Sequence, residues 1–141
     1  MGADHGGYEL KETVKDWYRS WRNEVTDVGA GSLDEEDDFI DYATLVAKEV
    51  RKNKEDRGIL FCRNGFGMMI TANRFAGIRC GLAFDKKAVE RGRSDDDINC
   101  LAIPVDYLSE DDVKEMIRVF LETQFGGEER FVRRLKKLAA I

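Results

Sequence analysis

GILFCRNGFG, residues 58–67, is an apolar run that ends at Cys62 and opens directly onto a glycine-rich loop. A short apolar run bounded by turn residues is typical of a buried strand, and glycines after it let the backbone turn sharply with its N–H groups exposed. Residues 68–73 predict a helix behind the loop. Cys62 would then lie beside a helix N-terminus, where partial positive charge favours a bound anion and a thiolate.

Strands and helices alternate along the rest of the chain. Apolar runs predict strands at 24–28, 58–61, 78–83 and 99–103. Helical spacing predicts helices at 8–21, 41–52, 86–93 and 130–138, and one more that begins with the capping pattern of Ser109 and Asp112. Such alternation predicts an α/β fold with a parallel sheet covered on both faces. At 141 residues, the chain fits one domain, 1–141.

The segment GADHGG at Gly2–Gly7 departs from this alternation. In doubly wound folds the ligand loops follow the ends of strands, and this segment has the composition of such a loop. No strand is predicted before it. We therefore expect the fold to lack its first strand, which residues upstream of Met1 would supply.

Charge and cysteine content limit the classes of function. The formal net charge is −5, from 28 acidic and 23 basic residues, which argues against nucleic-acid binding by bulk electrostatics. Cys62, Cys80 and Cys100 form no C-x-x-C pair, and no secretory apolar region is present, which predicts the reducing cytoplasm. No run reaches the roughly 18 apolar residues that a membrane span needs.

Cys62 has several interpretations. A cysteine-phosphatase loop would need an arginine six positions after the cysteine, where Met68 stands. Three alternatives remain: a buried structural cysteine, a redox-sensing thiol, and a thiolate base or nucleophile beside an anion hole of backbone N–H groups. Spacing alone leaves them open.

Charged residues elsewhere give three further candidates. His5, the only histidine, follows Asp4 in a glycine-flanked loop, so both would share the carboxyl edge of the sheet, where α/β proteins bind ligands. Arg130 and Arg134 lie four apart on one helical face, which suits either a phosphate clamp or an ordinary solvated surface. The run Asp95–Asp97 fits a helix-end loop, a metal site or an acid/base site.

Together these segments resemble the ribose-5-phosphate isomerase B family, which includes the galactose-6-phosphate isomerase subunits. The family's D-H-x-G-x-x-L-K opening matches residues 4–11, its D-x-G and D-Y-A segments match 27–29 and 41–43, and its C-G-T-G-x-G-M loop matches CRNGFGM at 62–68. Its A-N-K/R, G-I-R, D-x-N-x-L-A and, loosely, G-G-R-H-x-x-R patterns match 72–74, 77–79, 97–102 and 126–134. The resemblance covers nearly the whole chain.

The resemblance implies a Rossmann-like, three-layer doubly wound domain that interconverts aldose and ketose phosphates without a metal or other cofactor. Ribose 5-phosphate is the expected substrate, and a homodimer or tetramer with active sites at the subunit interface is the expected assembly. The matched positions imply roles. Cys62 would move a proton between C1 and C2, Asp4 would help to open the ring, and the backbone from Asn64 through Gly65, Phe66 and Gly67 to Met68 would stabilise the enediolate. His5, Arg130 and Arg134 would bind the phosphate, with Arg63 and Asn99 as further substrate contacts.

Several positions depart from the family pattern. A histidine implicated in ring opening is Asp95 here, and the glycine and threonine after the cysteine are Arg63 and Asn64. A phosphate-contacting arginine falls at about Asp106, and Phe131 replaces a C-terminal histidine. A carboxylate, from Asp95 or its neighbour Asp96, would then take over ring opening. The alternatives left open are a six-carbon sugar phosphate as substrate and a sugar-phosphate-binding protein without catalysis.

Overall fold

The computed structural model describes residues 1–21 and 24–141, which form an α/β fold. Its strands are β1 (Gly2–Ala3), β2 (Gly58–Cys62), β3 (Cys80–Leu82) and β4 (Cys100–Pro104). Its α-helices are α1 (Tyr8–Ser20), α2 (Phe39–Val50), α3 (Phe66–Ala72), α4 (Lys86–Asp96), α5 (Glu110–Glu122) and α6 (Glu129–Leu138). All strand pairs are parallel, in the order β1-β2-β4-β3. The predicted fold class is therefore confirmed.

Side chains along β2 alternate between the two faces of the sheet. Ile59 and Phe61 pack with apolar residues of α1 and α5, whereas Leu60 and Cys62 pack with those of α2 and α3. All five residues of β2 are buried, as expected for a strand inside a parallel sheet that helices cover on both faces. The result is three layers, and Cys62 belongs to the α2–α3 side. In the ranges that the structure describes, no helix is both long enough and apolar enough to cross a membrane.

The expectation that the fold lacks its first strand is wrong, because the first two residues of the GADHGG segment form β1. β1 has only two residues, and it pairs in parallel with β2 through Gly2 with Leu60 and Ala3 with Phe61. On its other side the Ala3 N–H donates to the Gly29 carbonyl at 2.8 Å. Pairing on both sides satisfies the buried backbone groups of β1, so no gap is left in the sheet.

Residues 24–28, predicted as a strand, are not one of the regular strands. Their chain nevertheless runs along β1, where the Val28 N–H donates to the Met1 carbonyl at 3.0 Å. The other predicted elements are present with shifted ends. α3 begins at Phe66, two residues early, because Gly65 completes the turn before it with a left-handed φ of +77°. The predicted cap of α5 is confirmed, since the Ser109 hydroxyl accepts the Asp112 N–H at 3.2 Å.

An ion pair joins the first two matched motifs. Lys11, whose side chain is 0% exposed, donates from Nζ to Asp27 Oδ2 at 2.6 Å and to the Ala30 carbonyl at 2.8 Å. Burial alone would raise the pKa of Asp27, but hydrogen bonds from Lys11 and Lys15 hold that pKa below its ordinary value. The pair holds the start of α1 against the segment of Asp27 and Ala30, which flanks β1. It thereby fixes the position of the loop between β1 and α1.

Candidate active site

Three loops meet at the carboxyl edge of the sheet. Asp4 follows β1, Arg63 follows β2 and Val105 follows β4. The loops are tied together, because the Asp106 N–H donates to the Arg63 carbonyl at 3.1 Å. A groove of about 790 Å³ opens beside them, with His5, Arg63 and Asp106 in its wall. Open parallel sheets bind their ligands at this edge.

Cys62 ends β2, and its thiol is buried at this edge. Its Sγ accepts the Gly65 N–H at 3.2 Å, and its residue is 5% exposed. Burial raises the pKa of the thiol, and the neighbouring Asp4 carboxylate raises it further. Backbone N–H groups of the loop lower the pKa, but by less. The loop N–H groups therefore favour the thiolate, as expected from the sequence, but desolvation and Asp4 outweigh them.

The loop after Cys62 is shaped by its glycine and by its own side chains. Gly65 has a φ of +77°, and a Cβ there would run into Leu82 Cδ1, so only glycine fits. Asn64 accepts the Phe66 N–H through Oδ1 at 3.1 Å, so this side chain shapes the turn. Phe66 is 53% exposed, and a Cβ on Gly67 would lie 2.8 Å from the Phe39 ring. Both glycines thus allow close packing around the loop.

Asp4 lies beside Cys62, and it is buried as well. It is 7% exposed, and its Oδ1 accepts the Gly7 N–H at 3.1 Å. Burial raises its pKa above the ordinary value, although the Gly7 hydrogen bond and the His5 ring act in the opposite direction. Gly7 lets α1 begin against β2, since a Cβ there would collide with the Phe61 backbone. A carboxyl group of raised pKa is suited to holding a proton during a reaction.

His5 has a partner that the sequence did not reveal. Asp37 Oδ1 lies 2.8 Å from His5 Nδ1 and also accepts the His5 backbone N–H at 3.0 Å. Asp37 lies in the acidic loop 34–38, where several neighbouring carboxylates look equivalent in sequence. Asp37 and His5 are 32 residues apart in the chain, so no local pattern in the sequence links them. The one available signal is that the loop 34–38 is rich in acidic residues.

Arg63 and Asp106 form an exposed pair at the mouth of the groove. Arg63 Nη1 lies 3.8 Å from Asp106 Oδ2, and the two side chains are 65% and 46% exposed. The Arg63 stem passes over Gly6, where a Cβ would have no room. Arg63 thus places its guanidinium at the end of β2, and Asp106 follows the end of the neighbouring strand β4.

The structure does not bring all the predicted site residues to this edge. Asn99 comes directly before β4, at the amino edge, and its Oδ1 accepts the Arg79 N–H at 2.8 Å. Asp95 lies in the last turn of α4, where its Oδ1 accepts the Ser94 hydroxyl at 2.6 Å. Because strands of a parallel sheet all run the same way, the amino edge is the side of the protomer away from Cys62.

The acidic run at the end of α4 is a helix-end loop. Asp97 forms the left-handed C-cap, with a φ of 49°, and its carboxylate binds the guanidinium groups of Arg79 at 2.7 Å and Arg93 at 2.8 Å. Among the described residues, no group of three or more His, Cys, Asp or Glu side chains is arranged to hold a metal ion.

α6 carries the two remaining candidates. The predicted helix is confirmed, so Arg130 and Arg134 lie one turn apart, and both are exposed. Arg130 pairs with Glu128 at 2.9 Å and lies over the Phe131 ring, 4.6 Å from its centroid. The buried Phe131 anchors α6 on the protomer, which leaves the basic face in solvent.

Comparison with known proteins identifies the family. The family model described as Ribose/Galactose Isomerase matches residues 1–138. The chain belongs to this family. The resemblance seen in the motifs is thereby confirmed, and these motifs account for the buried Asp4, the Lys11–Asp27 pair and the Cys62 loop.

Solved and curated members of the ribose/galactose isomerase family are similar over nearly the full chain. A ribose 5-phosphate isomerase from Thermotoga maritima has a TM-score of 0.93 and 36% identity, and the match covers 99% of this chain and 95% of that one. The Mycoplasma genitalium ribose-5-phosphate isomerase B, solved with bound ribulose-5-phosphate, has a TM-score of 0.94 and 31% identity, covering 99% and 91%. D-erythrulose-4-phosphate isomerase of Pectobacterium atrosepticum is 31% identical, covering 90% of this chain and 84% of the relative.

Proposed function

We propose that this protein is an aldose–ketose isomerase of sugar phosphates, with ribose 5-phosphate and ribulose 5-phosphate as its substrate pair. The observation that carries the proposal is the buried Cys62 beside the buried Asp4, under a loop of backbone N–H groups at the ligand edge of the sheet. Support also comes from the family and from the ribulose-5-phosphate complex of the Mycoplasma genitalium relative. Three free cysteines fit a reducing compartment, and we place the protein in the cytoplasm.

In the proposed reaction, Cys62 is the base. The thiolate takes the proton from C2 of the open-chain aldose, and the C1 carbonyl oxygen becomes the enediolate oxygen. A proton then passes from the C2 hydroxyl to the C1 oxygen, and Cys62 returns its proton to C1 to give the ketose. Backbone N–H groups between Asn64 and Met68 stabilise the negative oxygen. A thiolate that burial leaves poorly solvated is a stronger base than one in water, which suits removal of a weakly acidic proton. Asp4, with its raised pKa, carries the proton during ring opening.

We further propose that the site is completed by a second copy of the chain, in a homodimer or a tetramer. Asp95 and Asn99 lie away from Cys62 in one protomer, and the segment that leads into α6 is bound beside Asp95, since the Gly126 N–H donates to the Ser94 carbonyl at 2.9 Å. These two residues, together with Arg130 and Arg134 of α6, therefore reach the sugar of a partner rather than their own. Arg130 and Arg134 supply the guanidinium pair that a phosphate binds. His5 and Arg63 line the groove from the Cys62 side.

A binding protein without catalysis is the second candidate. It is favoured by the carboxylates at positions 95 and 106, where the family pattern has a histidine and an arginine. An isomerase for a six-carbon sugar phosphate is a variant of the first proposal, since these positions would act on ring opening and on phosphate placement.

A substrate panel with matched cysteine variants decides between them. Wild type, Cys62→Ala and Cys80→Ala are assayed with ribose 5-phosphate and with six-carbon aldose phosphates, and binding is measured by calorimetry. We expect turnover by wild type and Cys80→Ala, and binding without turnover by Cys62→Ala. Binding without turnover by wild type on every sugar would establish the non-catalytic candidate.

A further inference from the structure

Asp37 holds His5 with one carboxylate oxygen. Its Oδ1 accepts two hydrogen bonds from the same residue, from the His5 backbone N–H at 3.0 Å and from Nδ1 at 2.8 Å. The Asp37 side chain is only 5% exposed, whereas that of His5 is 31% exposed. The carboxylate therefore lies behind the imidazole, on the side away from solvent.

The other oxygen of the same carboxylate is unusual. Asp37 Oδ2 is buried and meets no described residue at full hydrogen-bonding geometry, although the Tyr42 hydroxyl lies close enough for the Asp37 carboxylate to raise the pKa of Tyr42. An unsatisfied buried oxygen is costly, and folding alone does not favour it. A neutral side chain at this position would tie the loop to the His5 backbone at a lower desolvation cost. Since both well-formed hydrogen bonds of this carboxylate go to His5, the geometry points to a requirement of His5.

Chemistry gives that requirement. A carboxylate only accepts hydrogen bonds, so Nδ1 of His5 must carry the proton, and the ring orientation is fixed. Nε2 makes no hydrogen bond within the described part of the chain, and His5 lines the groove. When Nε2 is also protonated, the ring becomes a cation that donates to an anion while Asp37 balances its charge from behind.

We propose that Asp37 is a positioning residue, which fixes the orientation and the Nδ1–H form of His5 so that Nε2 meets the anionic group of the substrate. This inference rests on the proposed function for the identity of the anion, a phosphate. It assigns to the acidic loop 34–38 a part in substrate affinity that acts through His5, without contact between Asp37 and the sugar.

His5 can be observed directly because it is the only histidine of the chain. Nitrogen-15 NMR of the ring reports which nitrogen carries the proton, and inorganic phosphate serves as the probe. We expect Nδ1–H in wild type and a shift of the proton toward Nε2 in Asp37→Ala, which has no side-chain oxygen to accept the Nδ1 proton. We also expect phosphate to perturb Nε2 of wild type, at concentrations about tenfold lower than those needed for the variant.

Kinetics provide the second readout. Asp37→Asn should raise KM for ribose 5-phosphate about tenfold while kcat changes little, and the double variant His5→Gln/Asp37→Asn should be no worse than His5→Gln alone. Asp34→Asn is the matched control, because Asp34 lies in the same loop, is exposed, and uses its side chain to accept the Glu36 N–H at 3.1 Å. It should leave both readouts unchanged. Asp37→Ala repeats the kinetic measurement with no side-chain oxygen at this position, and its melting temperature shows whether the fold is intact.

Three results would overturn the inference. An unchanged proton position in Asp37→Ala would show that the carboxylate does not set the form of His5. A lower melting temperature with unchanged KM and unchanged NMR would leave Asp37 as a purely structural tie. If phosphate had no effect on Nε2 of wild-type His5, the claim that Nε2 binds an anionic group would fail. Lack of turnover by wild type would instead count against the proposed function, and the NMR result would still judge Asp37.

Discussion

Cys62 and Asn99 lie at opposite edges of the same sheet. Cys62 ends β2 and pairs in register with Pro104, whereas Asn99 precedes Cys100, which pairs with Gly58 at the start of β2. A rise of about 3.3 Å per residue separates the two side chains by roughly 15 Å along the strands. One protomer therefore cannot bring both to one sugar, and this geometry motivates the proposed interface site.

Complementation between two inactive variants tests the shared site. Cys62→Ala lacks the proposed base, and Arg130→Ala/Arg134→Ala lacks the proposed phosphate clamp. If each site takes Cys62 from one copy and the arginines from the other, refolding an equal mixture should restore about a quarter of wild-type activity, because half of the dimers are mixed and each has one intact site. Turnover of ribose 5-phosphate measures it. In the control mixture, Lys136→Ala/Lys137→Ala takes the place of the arginine variant, because it removes two basic side chains of the same helix outside the proposed clamp. Mixed dimers that form without recovery would contradict the shared site.

The reactivity of Cys62 should follow its raised pKa. Because burial and Asp4 both hold the pKa above the ordinary value of 9.0, alkylation by iodoacetamide should keep accelerating as the pH rises into the alkaline range. Asp4→Asn removes one cause, so the pKa should fall and the rate at pH 8 should rise severalfold. Mass spectrometry of the labelled peptide gives the rate.

Two controls accompany the labelling. Asp106→Asn changes a nearby exposed carboxylate and should leave the rate unchanged. Cys80 and Cys100 should stay unlabelled in the folded protein, since burial raises the pKa of both thiols, that of Cys100 to about 12. A slower rate in Asp4→Asn would show that Asp4 does not oppose the thiolate.

The Lys11–Asp27 pair should make stability depend on acid. The pKa of Asp27 is lower in the folded protein than its ordinary value of 3.8, so its contribution is present above that pH and is lost as the pH falls through the folded pKa. Asp27→Asn should reduce the free energy of unfolding by about 2 kcal/mol near pH 7, since it removes one of the two carboxylates that bind the buried Lys11 and leaves only the more exposed Glu12. Urea titrations should show this difference shrinking below pH 3.8. The exposed Asp16→Asn should change stability by less than about 0.5 kcal/mol.

Gly65 should not tolerate a side chain. Gly65→Ala combines a left-handed φ with a collision against Leu82, and we expect a loss of about 2–4 kcal/mol in stability together with a large loss of activity. Gly127→Ala separates the two causes, because Gly127 has a φ of +67° with no atom within 4 Å of the added Cβ. It should lose only about 1 kcal/mol. Equal losses in thermal melts of the two variants would show that the Leu82 contact is unimportant.

Asp95 can be tested with a sugar that has no ring to open. Erythrose 4-phosphate carries its phosphate on the hydroxyl that would close a furanose, so it reaches the site in the open form. If Asp95 takes part in ring opening, Asp95→Asn should reduce kcat about a hundredfold on ribose 5-phosphate and leave turnover of erythrose 4-phosphate nearly unchanged. Asp96→Asn is the matched variant. Equal losses on both sugars would place Asp95 in another step.

Much of the fold and part of the site could be predicted from the sequence. The predicted helices all occur, and the strand before Cys62 and its glycine turn occur where the apolar run and the glycines indicated, because both signals act over a few residues. Asp4 and His5 were placed at the correct edge for the same reason. β1 was missed because two residues give no apolar period, and its partners are distant in the chain.

Local patterns in the sequence by themselves determined the α/β fold, the family and the loop that follows Cys62. Only the tertiary structure decided what surrounds those residues: Asp37 behind His5, the carboxylate of Asp4 beside the thiol, and Asn99 at the far edge. Burial and through-space charge depend on contacts between segments remote in the chain. The direction of the Cys62 pKa shift and the separation of Asn99 from Cys62 therefore follow from packing, which no short stretch of sequence encodes.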